Sequence, residues 1–145
     1  MPKSIVICAS FRFYEDVLAL QRRLEEAGIR TEIPIPNYYL NPRDPTRLQD
    51  KLLVPAPLVF ETFWRSMEMH HQRIIETDIV YVYGGIQGYV GNGVSSEMGF
   101  SHALAHHCPG QKPRTILSSH ELADIAMKGF VEEVVSPDMV VKRLS

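Results

Sequence analysis

Two rhythms of apolar residues alternate along this chain. Short unbroken apolar runs give way to stretches where apolar residues return every third or fourth position. Ser4–Ala9 is the first unbroken run, as expected of a parallel strand buried on both faces. After it, Val17, Leu20, Leu24 and Ala27 predict one helical stripe, with Arg22, Arg23, Glu25 and Glu26 toward water. Ser10 is the candidate N-cap, Glu15 and Asp16 favour the positive end of the helix dipole, and Gly28 suits the position after the C-cap. Thr31 to Ile35 reads as a second strand. From Leu58 to Thr77 the helical period returns, with Phe60, Phe63, Trp64, Met67, His71, Ile74 and Ile75 on one broad face. Asp78–Tyr83 is a third strand, followed by a glycine-rich turn. Gly93–His107 reads as a helix, Pro113–Leu117 as a fourth strand, and Ser119–Lys128 as a helix with Gly129 behind it. Val131–Val135 is a fifth strand, and Ser136-Pro137 places an N-cap and an N1 proline ahead of a last short helix.

The stretch from Pro34 to Pro57 breaks both rhythms. It holds six of the ten prolines, and Asn37–Pro45 reads as no regular element. Two readings stand side by side: a lid or binding loop carrying Tyr38 and Tyr39, or a surface excursion packed on its own tyrosines.

Alternation of this kind predicts an α/β fold: one domain over residues 1–145, with a five-stranded parallel sheet in the flavodoxin/Rossmann-like order 2-1-3-4-5 and helices on both faces. In such sheets ligands bind at the carboxyl ends of the strands where the winding reverses, between the first and third strands. The chemistry is therefore expected in Ala9–Tyr14 and Gly84–Gly99.

Composition narrows the classes. With 145 residues, 45% hydrophobic and 22% charged, the chain resembles an ordinary globular domain. Its charge is 15 − 17 = −2, so no broad basic field exists to hold polymeric nucleic acid. No apolar run approaches the roughly 18 residues of a membrane span. The N-terminus lacks the layout of a signal peptide, and two cysteines make no disulfide framework, so a cytoplasmic location is expected.

Five glycines (84, 85, 88, 91 and 93) precede Glu97, which is expected in the first turn or so of a helix. Glycines allow positive φ and close approach of a ligand, and a helix N-terminus offers free N–H groups. The dipole at that end is expected to hold Glu97 ionised, as a carboxylate nucleophile requires; the plain alternative is an acid that only improves the helix. The Gly-Lys-Ser/Thr of a nucleoside-triphosphatase loop is absent, and the glycines do not follow the dinucleotide fingerprint. Ser10, Arg12 and Tyr14 leave the first strand toward the same crevice, where Arg12 could grip a phosphate or carboxylate in bidentate fashion. Asp78 opens the third strand at its amino end, and by composition reads as a structural cap. His102 and His106, with His107 and Cys108 beside them, have a spacing that could hold zinc but lack His-Glu-x-x-His. His70 and His71 are read in the same way, Cys8 reads as a small core residue, and no metal is expected.

Two stretches resemble the nucleoside 2-deoxyribosyltransferase superfamily, which includes the deoxynucleoside 5′-monophosphate N-glycosidases. One is Ile5-Val-Ile-Cys-Ala-Ser-Phe-Arg-Phe-Tyr-Glu-Asp16. The other runs from Thr77-Asp-Ile-Val-Tyr-Val82 through Gly88-Tyr-Val-Gly-Asn-Gly-Val-Ser-Ser-Glu-Met-Gly-Phe-Ser-His-Ala103. The resemblance implies cleavage or transfer of the N-glycosidic bond of a nucleoside or nucleoside 5′-monophosphate. Glu97 maps onto the nucleophile and Asp78 onto the supporting aspartate. Ser10, Phe11, Arg12, Tyr14, Gly85, Gly88, Tyr89, Asn92 and Gly93 fall on the substrate-binding positions. It also implies a nucleoside or nucleotide as the small-molecule partner, a homodimer or higher homo-oligomer, and no cofactor. Gly91 and Asn92 stand where members often place an acid or a serine, and the first strand lacks the tyrosine that many members carry. The alternatives are a catalytically silent nucleotide-binding module on the same fold and a Rossmann-like phosphoribohydrolase.

Overall fold

The computed structural model describes residues 3–34, 40–41, 44–48, 56–110 and 115–145. Strand β1 (Ser4–Ala9) leads through a 3-10 turn, Phe11–Phe13, into α1 (Tyr14–Glu26), and β2 (Arg30–Glu32) follows. Two short strands, β3 (Leu40–Asn41) and β4 (Asp44–Leu48), pair antiparallel. After α2 (Ala56–Glu76) come β5 (Ile79–Tyr83), α3 (Asn92–His106), β6 (Thr115–Ser118), α4 (Ile125–Phe130), β7 (Glu133–Val134) and α5 (Pro137–Leu144).

The main sheet runs β2-β1-β5-β6-β7, with every neighbouring pair parallel. Numbered among the sheet's own five strands, that is the expected order 2-1-3-4-5. Period-two alternation divides the core. Ile5, Ile7, Ala9, Ile79 and Tyr81 face one side with Val17, Leu20 and Leu24 of α1 and Val140 of α5. Val6, Cys8, Val80 and Val82 face the other, with Ile74 of α2 and Val94, Met98 and Leu104 of α3. Both faces are covered, which is why β1 and β5 read as unbroken apolar runs. Among the described residues no helix is long and apolar enough to cross a membrane.

Local signals explain most boundaries. Gly28 takes φ +82 after the α1 C-cap, Ala27. The Ser136 hydroxyl accepts the Met139 N–H at 3.3 Å, with Pro137 opening α5. Four expectations are corrected. The stretch Asn37–Pro45 does contain regular structure, the β3–β4 pair; Tyr38 and Tyr39 lie outside the described residues. The second strand ends at Glu32, short of Ile35. Among the described side chains of α2, Met67 and Ile74 are buried as expected, but His70 is buried with them and Trp64 is exposed; the side chains of Phe60 and Phe63 lie outside the described ones. The helix expected over Ser119–Lys128 begins only at Ile125 and runs through Gly129. Residues 119–123 cannot be helical because their polar groups serve the glycine loop. The Gly84 N–H donates to Ser119 Oγ at 2.9 Å, and the Ala123 N–H donates to the Gly88 carbonyl at 3.3 Å.

Candidate active site

β1 and β5 lie side by side in the interior of the sheet with Ala9 opposite Tyr83, so the loops that follow them leave from the same carboxyl end. Ser10 caps the 3-10 turn, its hydroxyl accepting the Arg12 N–H at 3.4 Å. The Arg12 guanidinium lies over the Tyr89 ring, 5.2 Å from its centroid, and bridges the two loops. The Ser10 side chain also stands beside Gly91. The 3-10 turn carries Phe11, which is half-buried. Tyr14 is partly buried and packs against the α1 side of the core.

Gly85 and Gly88 are glycines for a reason other than ligand approach. A β-carbon on Gly85 would stand 1.9 Å from Cζ of Phe13. Gly88 has φ +74, and a β-carbon there would stand 2.1 Å from the Glu121 carbonyl oxygen. Both spaces are filled by the protein itself.

The N-terminus of α3, by contrast, reaches solvent at Asn92. Its N-cap, Gly91, makes no side-chain cap bond, with Asn92 exposed and Gly93 half-buried in the first turn. Such a terminus presents amides to a polar or anionic group.

Glu97 sits in the second turn of α3, because the helix starts at Asn92 and its first turn holds no acid. It lies on the buried stripe Val94, Glu97, Met98, Ser101 and Leu104. The residue is 7% exposed, and its Oε2 has no hydrogen-bond partner. Burial pushes its pKa up to about 8, against a smaller lowering influence from Cys8. Burial thus opposes the dipole that was expected to hold Glu97 ionised, and the dipole's influence falls off within the first turn.

What faces Glu97 was not expected from the sequence. Cys8 from β1 and His70 from α2 are both buried there. Cys8 Sγ lies 3.5 Å from His70 Nε2, and that nitrogen lies 3.8 Å from Glu97 Oε2. Burial drives His70 down to about 3, with Arg73 and His71 adding to the effect, and drives the Cys8 thiol up. Burial therefore favours the uncharged form of all three groups. Two signals mark this cluster in the sequence. Cys8 shares strand parity with Val6, and Glu97 falls on the apolar stripe of its own helix.

Asp78 does not join the site. It lies at the amino end of β5 beside Ser4, roughly 20 Å along the strand from the glycine loop at about 3.3 Å per residue. Composition's reading of Asp78 as a structural cap fits this place. His102, His106 and His107 form a separate cluster, with ring centroids 4.6 Å apart between His102 and His106.

No family model and no curated protein matches this chain. A solved 2-deoxyribosyltransferase from the psychrotolerant bacterium Bacillus psychrosaccharolyticus, a biocatalyst for nucleoside synthesis, superposes with a TM-score of 0.61 at 17% identity, covering 95% of this chain and 90% of its own. At that identity the likeness is one of fold, and this chain has the fold of that 2-deoxyribosyltransferase.

Proposed function

We propose that this single-domain chain cleaves or transfers the N-glycosidic bond of a nucleoside or nucleoside 5′-monophosphate, with Glu97 as the nucleophile. The observation that carries the reading is a buried carboxyl with an unpaired oxygen in the second turn of α3, the helix that follows the glycine loop, in a chain with the fold of a solved 2-deoxyribosyltransferase. Once ionised, Glu97 attacks the anomeric carbon through an oxocarbenium-like transition state and the base departs with the bond's electron pair. Water or a second base then resolves the glycosyl ester. Ser10, Arg12, Tyr89, Asn92 and Gly93, from the loops after β1 and β5 and the start of α3, are assigned to the sugar and any 5′-phosphate; Phe11 stays with them. Gly85 and Gly88 shape the loop. We also infer a cytoplasmic homo-oligomer; half-exposed Trp64 and Met69 on α2 favour self-association.

The deciding experiment measures free base by chromatography. Ribo- and deoxyribonucleosides and their 5′-monophosphates are incubated with the chain and with Glu97→Ala, with and without an acceptor base. Release that the substitution abolishes is the expected result. The neutral, buried state of Glu97 favours a second reading, a silent nucleotide-binding module. Thermal stabilisation by a nucleotide without base release from any substrate establishes that module instead.

A further inference from the structure

Cys8, His70 and Glu97 come from three separate elements and meet at one buried point, with a ligand atom from each within 4.8 Å of the others. Two donors on a tetrahedral zinc ion, with bonds of about 2.0–2.3 Å, stand about 3.3–3.8 Å apart, the nitrogen–oxygen pair at the lower end. The Sγ–Nε2 distance of 3.5 Å fits that spacing, and the Nε2–Oε2 distance of 3.8 Å needs only a small inward movement. The donor types fit as well: thiolate, imidazole and carboxylate are all zinc ligands, and three protein ligands leave a fourth position for water. Charge decides between a cation and an empty core. A divalent ion with one thiolate and one carboxylate sums to zero, so the loaded site carries no net charge into the interior. The unpaired, buried Oε2 of Glu97 gains the partner it lacks.

We propose that Cys8, His70 and Glu97 form a binding site for one zinc-type divalent cation. On binding, the Cys8 thiol and the Glu97 carboxyl each release a proton to solvent, and neutral His70 coordinates through Nε2. The other titratable groups that bear on the site are His71 and Arg73 of α2. The site goes beyond the glycosidic reading. The same Glu97 oxygen cannot serve both the metal and an anomeric carbon, so the two roles compete for this side chain.

The test uses the full chain after dialysis against a chelator. Zinc is titrated in competition with a chromophoric chelator, and cobalt is added in parallel for its thiolate charge-transfer band. The expected result is one equivalent of zinc, about two protons released per ion in weakly buffered solution near pH 7, and a thiolate band. Cys8→Ser abolishes the band, and Cys8→Ser and the near-isosteric Glu97→Gln each weaken zinc at least tenfold. His106→Ala/His107→Ala leaves binding unchanged, which separates the core site from the surface histidines. Two results overturn the proposal. One is a natively folded chain that takes up no stoichiometric zinc. The other is zinc that survives Cys8→Ser and Glu97→Gln but leaves with the surface double variant. Base release is scored separately with chelator present: zinc uptake by a chain that releases no base sinks the glycosidic reading alone.

Discussion

One carboxylate oxygen of Asp78 accepts both hydrogen bonds that Ser4 donates, from its amide and from its hydroxyl, each at 3.1 Å. The Asp78 amide donates back to the Ser4 hydroxyl at 3.1 Å. This reciprocal pair fastens the start of β5 to the start of β1, at the end of the sheet remote from the crevice. Asp78→Ala leaves the Ser4 amide and hydroxyl without their acceptor, and is expected to cost about 1–3 kcal/mol. Urea unfolding measures that loss, while base release per folded molecule stays at the parent level. A large fall in turnover with unchanged stability would return Asp78 to the chemistry.

Glycine substitutions separate the loop from the helix. Gly88→Ala combines a positive φ with a β-carbon 2.1 Å from a backbone oxygen, so the chain must move; a loss above about 2 kcal/mol is expected. Gly99 lies inside α3 with nothing within 4 Å of where a β-carbon would stand, and Gly99→Ala is expected to raise stability by up to about 1 kcal/mol. Thermal melts of the two variants check the contrast. Equal losses would mean that the glycine loop is not packed as described.

Glu97 and His70 tilt the pH–stability curve in opposite senses. The Glu97 pKa rises from 4.5 to about 8 on folding, so its contribution is complete below about 4.5 and is lost as pH climbs through 8. The His70 pKa falls from 6.5 to about 3, so its contribution is present above 6.5 and is lost as pH falls toward 3. Each slope is at most about 1.4 kcal/mol per pH unit, and the two offset one another between 4.5 and 6.5. Glu97→Gln removes only the upper limb. Its stability relative to the parent is expected to rise from pH 5 to pH 8 and then level off, as read from urea midpoints. A pH-independent difference would show that Glu97 is ionised in the native chain.

The fold was legible to the extent that it rests on local pattern. The unbroken runs Ser4–Ala9 and Ile79–Tyr83 mark strands covered on both faces, and Ser136-Pro137 marks a helix start, because each signal lies within a few residues. Alternation of strands and helices was enough for the sheet order. The site was legible only in part. Glu97 is conspicuous beside its glycines, but Cys8 and His70 reach it from 89 and 27 residues away in sequence, and no spacing rule joins three elements (97 − 8 = 89; 97 − 70 = 27). The short α4 was hidden for a similar reason: Ser119 and Ala123 answer to Gly84 and Gly88, partners that helix propensity does not see.

The same carboxyl sets the pH dependence of the proposed reaction, and the sign of that dependence identifies its role. A nucleophile must be ionised, and in the free chain Glu97 holds its proton until about pH 8. Since kcat/KM follows the free enzyme, base release is expected to rise about tenfold per pH unit below 8 and to level off above it. A general acid needs the proton instead, and the profile then stays flat below 8 and falls beyond it. Bound substrate that donates a hydrogen bond to Oε2 favours the carboxylate, so the kcat profile turns at lower pH than the kcat/KM profile. Initial rates from pH 5 to pH 9, taken with a chelator present, decide between the two roles. A profile falling above pH 8 would exclude Glu97 as the nucleophile and leave it as the donor to the departing base.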